Sequence, residues 1–180
     1  MLCTHRIIPG SNLLVAIGGR GFMPDIGQGA LLVWDLTQLD KPPREFYHGS
    51  DLQFAIAVHP NGKRVVTGTG MGFGSVHGEI LEWDLEQGRV VRTLSGHAGS
   101  ILKLTYSPDG TRLASYSTIS NSTDIMRGNV KVWHLDSEQE LLELPLNDGR
   151  IVDLAFRPDG QHLLAPAWSS ARSTIRMWHA

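Results

Sequence analysis

Apolar residues in this chain fall into short runs of period two, separated by Gly, Pro, Asn and Asp, and the runs recur at a nearly constant interval. One set ends on tryptophan: Trp34, Trp83, Trp133 and Trp178, spaced 49, 50 and 45 residues apart. A second landmark keeps phase with it. Val58-His59-Pro60-Asn61-Gly62, Tyr106-Ser107-Pro108-Asp109-Gly110 and Phe156-Arg157-Pro158-Asp159-Gly160 are turn signals, with a reduced form, Ile8-Pro9-Gly10-Ser11, near the start. An apolar run precedes each full turn (54–58, 101–106, 151–156), and another follows each turn (13–17, 65–69, 113–116, 163–167). A Gly- or Ser-rich loop then leads into the tryptophan run. A more polar strand candidate closes each of the first three units, at 44–48, 90–94 and 141–144. Each unit therefore predicts four short antiparallel strands, a to d.

A sheet of that size cannot bury both faces alone, so the units must stack on one another. An ordinary β-sandwich would need two independent coincidences, because both the turn and the tryptophan repeat in phase. The predicted class is all-β, four four-stranded antiparallel sheets with the last lacking its outer strand. The expected units are 1–49, 50–97, 98–147 and 148–180 of one continuous segment.

The motifs resemble those of WD-repeat β-propellers over essentially the whole chain. They are Trp34-Asp35 and Trp83-Asp84, the altered Trp133-His134 and Trp178-His179, the Gly96-His97 pair and the Pro-Asp/Asn-Gly turns. The resemblance implies a buried set in each blade: a His before strand a, a Ser or Thr in strand b, an Asp before strand c, and the tryptophan. By position this chain supplies His97, Ser115 and Trp133 in its third unit, and Thr67 with Trp83 in its second. The fourth unit offers Asn147 and Ala165, and the first offers Val15. Where the Asp belongs, six residues before each tryptophan, stand Gln28, His77, Arg127 and Arg172. The expectation is an incomplete polar network, with blade stability carried by apolar packing.

The loops between strands b and c are long. From the strand-b hydroxyl position to the tryptophan they span 19, 16, 18 and 13 residues. In an up-and-down meander these loops leave the same end of every sheet, and loops enlarged on one face of a repeat array mark a binding face. They carry Phe22, Met23, Met71, Phe73, Ile125, Met126 and Arg127, the candidate partner-binding residues. Two uses are open for the apolar members: capping the blade edges, or forming an adaptable contact patch.

Composition adds exclusions. A net charge of −2 with no clustered basic face gives no reason to expect nucleic acid or an anionic membrane as partner. One cysteine, Cys3, rules out an internal disulfide and suits a reducing, cytoplasmic setting. No run approaches the roughly 18 apolar residues of a membrane span, and 13–17 is too short for a signal core.

Eight histidines show no paired ligand spacing, so no metal is expected; His59, His134 and His179 are expected to face solvent. The segment Gly68-Thr69-Gly70-Met71-Gly72-Phe73-Gly74 fails the phosphate-loop spacing and precedes no helix. Asp25, His77, Asp124, Arg127 and Arg172 share the loop end but form no nucleophile–base or two-carboxylate pattern, so no catalytic residue and no cofactor are assigned.

The functional expectation is a non-enzymatic docking scaffold that holds a protein or peptide on its b–c loop face. The alternatives are an enzyme with its site at the channel mouth, or an inactive propeller fragment. Four blades would have to turn about 90° each to close, against about 50° in a seven-bladed ring. An open arc is therefore expected. Further blades of a longer chain, self-association, and closure as four blades all remain open.

Overall fold

The computed structural model describes residues 2–19, 29–49, 52–70, 77–119, 127–146, 149–168 and 172–180. These contain sixteen strands and no helix. The first sheet holds β1 (Leu2–Ile7), β2 (Leu13–Gly19), β3 (Gly29–Asp35) and β4 (Arg44–Tyr47) in that spatial order. The second repeats the order with β5 (Leu52–Val58), β6 (Arg64–Gly70), β7 (Gly78–Asp84) and β8 (Arg89–His97). The third does so with β9 (Ser100–Tyr106), β10 (Arg112–Ile119), β11 (Arg127–His134) and β12 (Gln139–Leu146). In the fourth, the inner strand is broken into β13 (Arg150–Ile151) and β14 (Ala155–Phe156), both paired to β15 (His162–Trp168), which in turn pairs β16 (Ser173–His179). All pairing is antiparallel, as expected, and β16 has no outer partner among the described residues.

The turns between the first two strands explain the register. His59, Ser107 and Arg157 each accept the amide of a glycine three residues on, at 2.8, 2.9 and 2.9 Å. Those glycines, Gly62, Gly110 and Gly160, sit at φ of 70°, 76° and 69°, a region costly for any residue with a Cβ. Proline at the second turn position pre-sets φ, and Asn61, Asp109 and Asp159 accept the amide two residues later.

The first turn differs. Its left-handed glycine is Gly10, one place earlier, and Ser11 donates to Ile8. Matching glycine to glycine therefore shifts the first unit by one residue. Strand pairing settles the alignment: Trp34, Trp83, Trp133 and Trp178 face Leu14, Val65, Leu113 and Leu163. Two residues further along strand b stand Ala16, Thr67, Ser115 and Ala165, so Ala16 rather than Val15 holds the first unit's position.

Alternation of side chains gives each sheet two faces, and successive sheets bury them pairwise. Val15, Ile17, Leu31 and Val33 pack against Ile56, Val65, Leu81 and Trp83 of the second sheet. Ala57, Val66, Ile80 and Leu94 pack against Ile101, Leu104, Leu113 and Trp133 of the third. Ala114, Tyr116, Val130 and Val132 meet Ile151, Leu154, Leu163 and Ala165 of the fourth. The tryptophan face of each later sheet thus covers the opposite face of the sheet before it. The four sheets form a stack that is not closed into a ring.

Candidate functional site

The third sheet carries a continuous polar chain through its buried side. Trp133 Nε1 donates to Ser115 Oγ at 2.8 Å, and Ser115 Oγ lies 2.6 Å from His97 Nε2. On the other side of the ring, His97 Nδ1 meets Asn129 Oδ1 at 3.0 Å. That oxygen also accepts from Ser117 Oγ at 2.7 Å, while Asn129 Nδ2 donates to Glu143 Oε1 at 2.6 Å. The amide orientation sets the tautomer. Asn129 Oδ1 can only accept, so His97 carries its proton on Nδ1 and accepts the Ser115 hydroxyl at Nε2. Burial pushes the His97 pKa down to about 4, Asn129 opposes that, and the nearby Lys131 cation adds to it. His97 is a neutral structural ring.

Asn129 fills the role that the resemblance gives to an aspartate, and it does so from a different place. Arg127 stands six residues before Trp133, and its backbone opens β11 opposite Ile119. Asn129 lies four before the tryptophan. Strand alternation narrows the choice without making it: positions 127, 129, 131 and 133 have the same parity as Ser115 and Ser117 across the ladder. The 3.0 Å approach of Asn129 Oδ1 to His97 Nδ1 is what selects Asn129. The third network is therefore complete, contrary to expectation, with a neutral amide in place of a carboxylate.

The other sheets follow the pattern less fully. Trp83 Nε1 donates to Thr67 Oγ1 at 2.8 Å, and His48 approaches the Trp83 ring edge-on at 6.3 Å. In the first and fourth sheets Ala16 and Ala165 replace the hydroxyl, and both Trp34 and Trp178 are only half-buried. Hydroxyl-anchored tryptophans belong to the two interior sheets.

A second buried cluster joins the second and third sheets. Glu82, 3% exposed, accepts from Arg64 at 3.1 Å and Arg92 at 3.0 Å, and Tyr106 donates its hydroxyl to Glu82 Oε1 at 3.3 Å. Burial, with the Glu82 charge beside it, drives the Tyr106 pKa well above the ordinary phenol range. Lys131, equally buried, pairs with Glu140 at 2.6 Å and Glu143 at 3.3 Å. His59 is not the solvent-facing residue expected; it packs edge-on against Tyr106 with ring centroids 4.9 Å apart. Each of these buried ionisable groups is committed to bonds within or between sheets.

The inner strands line a concave hollow of about 400 Å³ at the a–b turn end. Arg6, Val58, Tyr106, Asp153 and Phe156 contribute to it. It lies at the opposite end of the strands from the b–c loops. Among the described residues no group of three or more His, Cys, Asp or Glu side chains is placed to hold a metal ion. His77 and Arg172 are exposed where the b–c connections rejoin the sheets. Phe22, Met23, Asp25, Met71, Phe73, Asp124, Ile125 and Met126 lie outside the described residues, and Arg127 is described in its backbone alone. No helix among the described residues is long and apolar enough to cross a membrane.

Repeated four-stranded sheets, stacked face to face with a tryptophan and hydroxyl pair at the interior positions, define a β-propeller-type blade array. Residues 88–134 match the family model "WD domain, G-beta repeat", which spans β8 to β11 and so includes the His97–Ser115–Trp133–Asn129 chain. The chain is also 37% identical over 75 residues to the Periodic tryptophan protein 2 homolog of Schizosaccharomyces pombe. That similarity covers 41% of this chain and 8% of the relative, so the chain spans only a small part of that protein's length. With the fold, these matches support a WD-repeat family for the matched segments.

Proposed function

We propose that the chain is a non-enzymatic docking scaffold that holds a protein or peptide on the end of the blades where strands b and c are joined. One observation carries this reading. All four b–c connections leave the stack at one end, and their sequences place Phe22, Met23, Met71, Phe73, Ile125 and Met126 among Gly, Ser and Asn, with Arg127 at the foot of the third. Large apolar residues in glycine-rich loops suit adaptable contact. The WD-repeat kind supports a protein partner, and the single cysteine is in keeping with the cytoplasm.

The test is selection of peptides from a random display library against the whole chain, followed by hydrogen exchange with the selected peptide bound. Slowed exchange in segments 68–78 and 118–128 is expected, and Phe73→Ser with Met126→Ser should weaken binding about tenfold or more without moving the unfolding temperature. Protection confined to the hollow beside Tyr106 and Asp153 would instead place binding at the opposite end.

A further inference from the structure

One buried residue breaks the repeat's own rule. Four places beyond the tryptophan-facing residue, strand b of the four units carries Gly18, Thr69, Ser117 and Ala167, and their partners on the inner strand are Leu2, Gln53, Ile101 and Ile151. All but Gln53 are aliphatic. Gln53 is 2% exposed, and neither Nε2 nor Oε1 of its side chain has a hydrogen-bond partner among the described residues. Its ladder neighbour Thr69 is buried too, and the Thr69 hydroxyl oxygen accepts the Glu79 amide at 2.9 Å. A bulge follows Gln53 on β5, but bulges stand at the same place on β1 and β9, so the departure is the amide itself.

Burying a carboxamide with both ends unpaired is costly, and an aliphatic residue there, as in the other units, would remove the cost. A local rule broken without internal compensation is characteristic of functional positions. The location agrees. Gln53 stands one ladder pair in from Leu52 and Gly70, at the end of the sheet from which the b–c connections leave, and Leu52 is 37% exposed.

The chemistry of the side chain narrows what it can take. A carboxamide holds an acceptor and a donor group side by side. A carboxylate would satisfy Nε2 alone, and an ammonium Oε1 alone. On an extended chain the N–H and C=O of one residue point the same way and satisfy both. Recognition of that kind reads main chain rather than side chain.

We propose that Gln53 receives the main chain of an extended peptide at the b–c end, through paired hydrogen bonds to the N–H and C=O of one peptide residue. This rests on the docking function proposed for that end, and it names the part of the peptide that is recognised. The segment enters beside Leu52, between the first and second sheets, and pairing there recovers the cost that the free chain carries.

The test uses the whole chain and a capped synthetic form of a display-selected peptide that slows exchange in 68–78 and 118–128. Gln53→Ile should weaken its binding about tenfold or more. In the free chain the same variant should raise the unfolding temperature by at least about 2 °C, since it removes an unpaired buried amide. Gln53→Met, unbranched and close in volume, replaces it if isoleucine does not fit.

Methylating the peptide's amide nitrogens one at a time is the decisive arm. One position should lose about tenfold against the unaltered chain and nothing further against Gln53→Ile. Unchanged binding by the variant, a lowered unfolding temperature in both Gln53→Ile and Gln53→Met, or the same methylation profile with and without the amide would each overturn this inference and leave the docking function standing. If no selected peptide protects those two segments, the docking function falls and the role of Gln53 falls with it.

Discussion

His97 Nδ1 and Asn129 Oδ1 lie 3.0 Å apart across the boundary between β8 and β11, which locks the end of one sheet to the interior of the next. An aspartate there would present a charge to the buried ring and favour imidazolium. The amide accepts the Nδ1 proton without adding charge, and its NH₂ group is left to reach Glu143. The chain thereby keeps a histidine neutral at a site only 1% exposed.

That neutrality has a pH signature. The folded His97 pKa of about 4 lies below the ordinary value of 6.5, so the unfolded chain binds the proton more readily. Its contribution is present in full above about pH 6.5 and is lost as pH falls toward 4. The difference corresponds to about 3 kcal/mol. Urea unfolding from pH 7 to 4 should show this decline, and His97→Gln should remove most of the slope while lowering stability at pH 7. An equal slope in the variant would assign the decline to other groups.

Ser115 serves two partners where Thr67 serves one. Ser115→Ala leaves both the Trp133 indole N–H and His97 Nε2 buried without it, and should cost about 2–4 kcal/mol. Thr67→Val, which strands the Trp83 indole N–H and preserves shape, should cost about 1–2 kcal/mol. Comparing the two denaturation midpoints checks the ordering; a larger loss for Thr67→Val would contradict the proposed network.

Glu82 holds Arg64, Arg92 and Tyr106 together at the junction of the second and third sheets. Glu82→Ala leaves the buried Tyr106 hydroxyl without its acceptor and removes one carboxylate from Arg64, which water still reaches, and from Arg92, which keeps Glu138 at 3.2 Å; a loss of about 3 kcal/mol is expected. Tyr106→Phe removes one neutral donor and should cost about 1 kcal/mol. Calorimetry of the pair distinguishes this cluster from a surface ion pair, which would show less than about 1 kcal/mol for either change.

Gly68 marks how closely the sheets approach. A Cβ on it would sit 2.5 Å from Cγ2 of Ile101 on β9 and 2.8 Å from its Cβ, with backbone just behind. Gly68→Ala should therefore cost about 1–3 kcal/mol by forcing the second and third sheets apart. The companion change Ile101→Ala opens room and should offset part of that loss in the double variant, while itself leaving a cavity. Additive losses would mean the two positions do not meet.

Residue pattern alone carried the number of sheets, their strand order and the turn chemistry, while the family resemblance implied the interior pairs Trp133–Ser115 and Trp83–Thr67. The first three are local or periodic properties: alternation of two, glycine where φ is positive, and a tryptophan recurring in phase. Tertiary structure decided what depends on contact between units. It moved the first unit by one residue, because Gly10 and Gly62 occupy different turn positions and only strand pairing tells them apart. It brought Asn129 to His97, since reach across a sheet boundary is a distance, not a spacing in sequence. It turned His59 onto Tyr106. It also left Ile175 and Met177 exposed, because whether an apolar strand residue is buried depends on the neighbour packed against it.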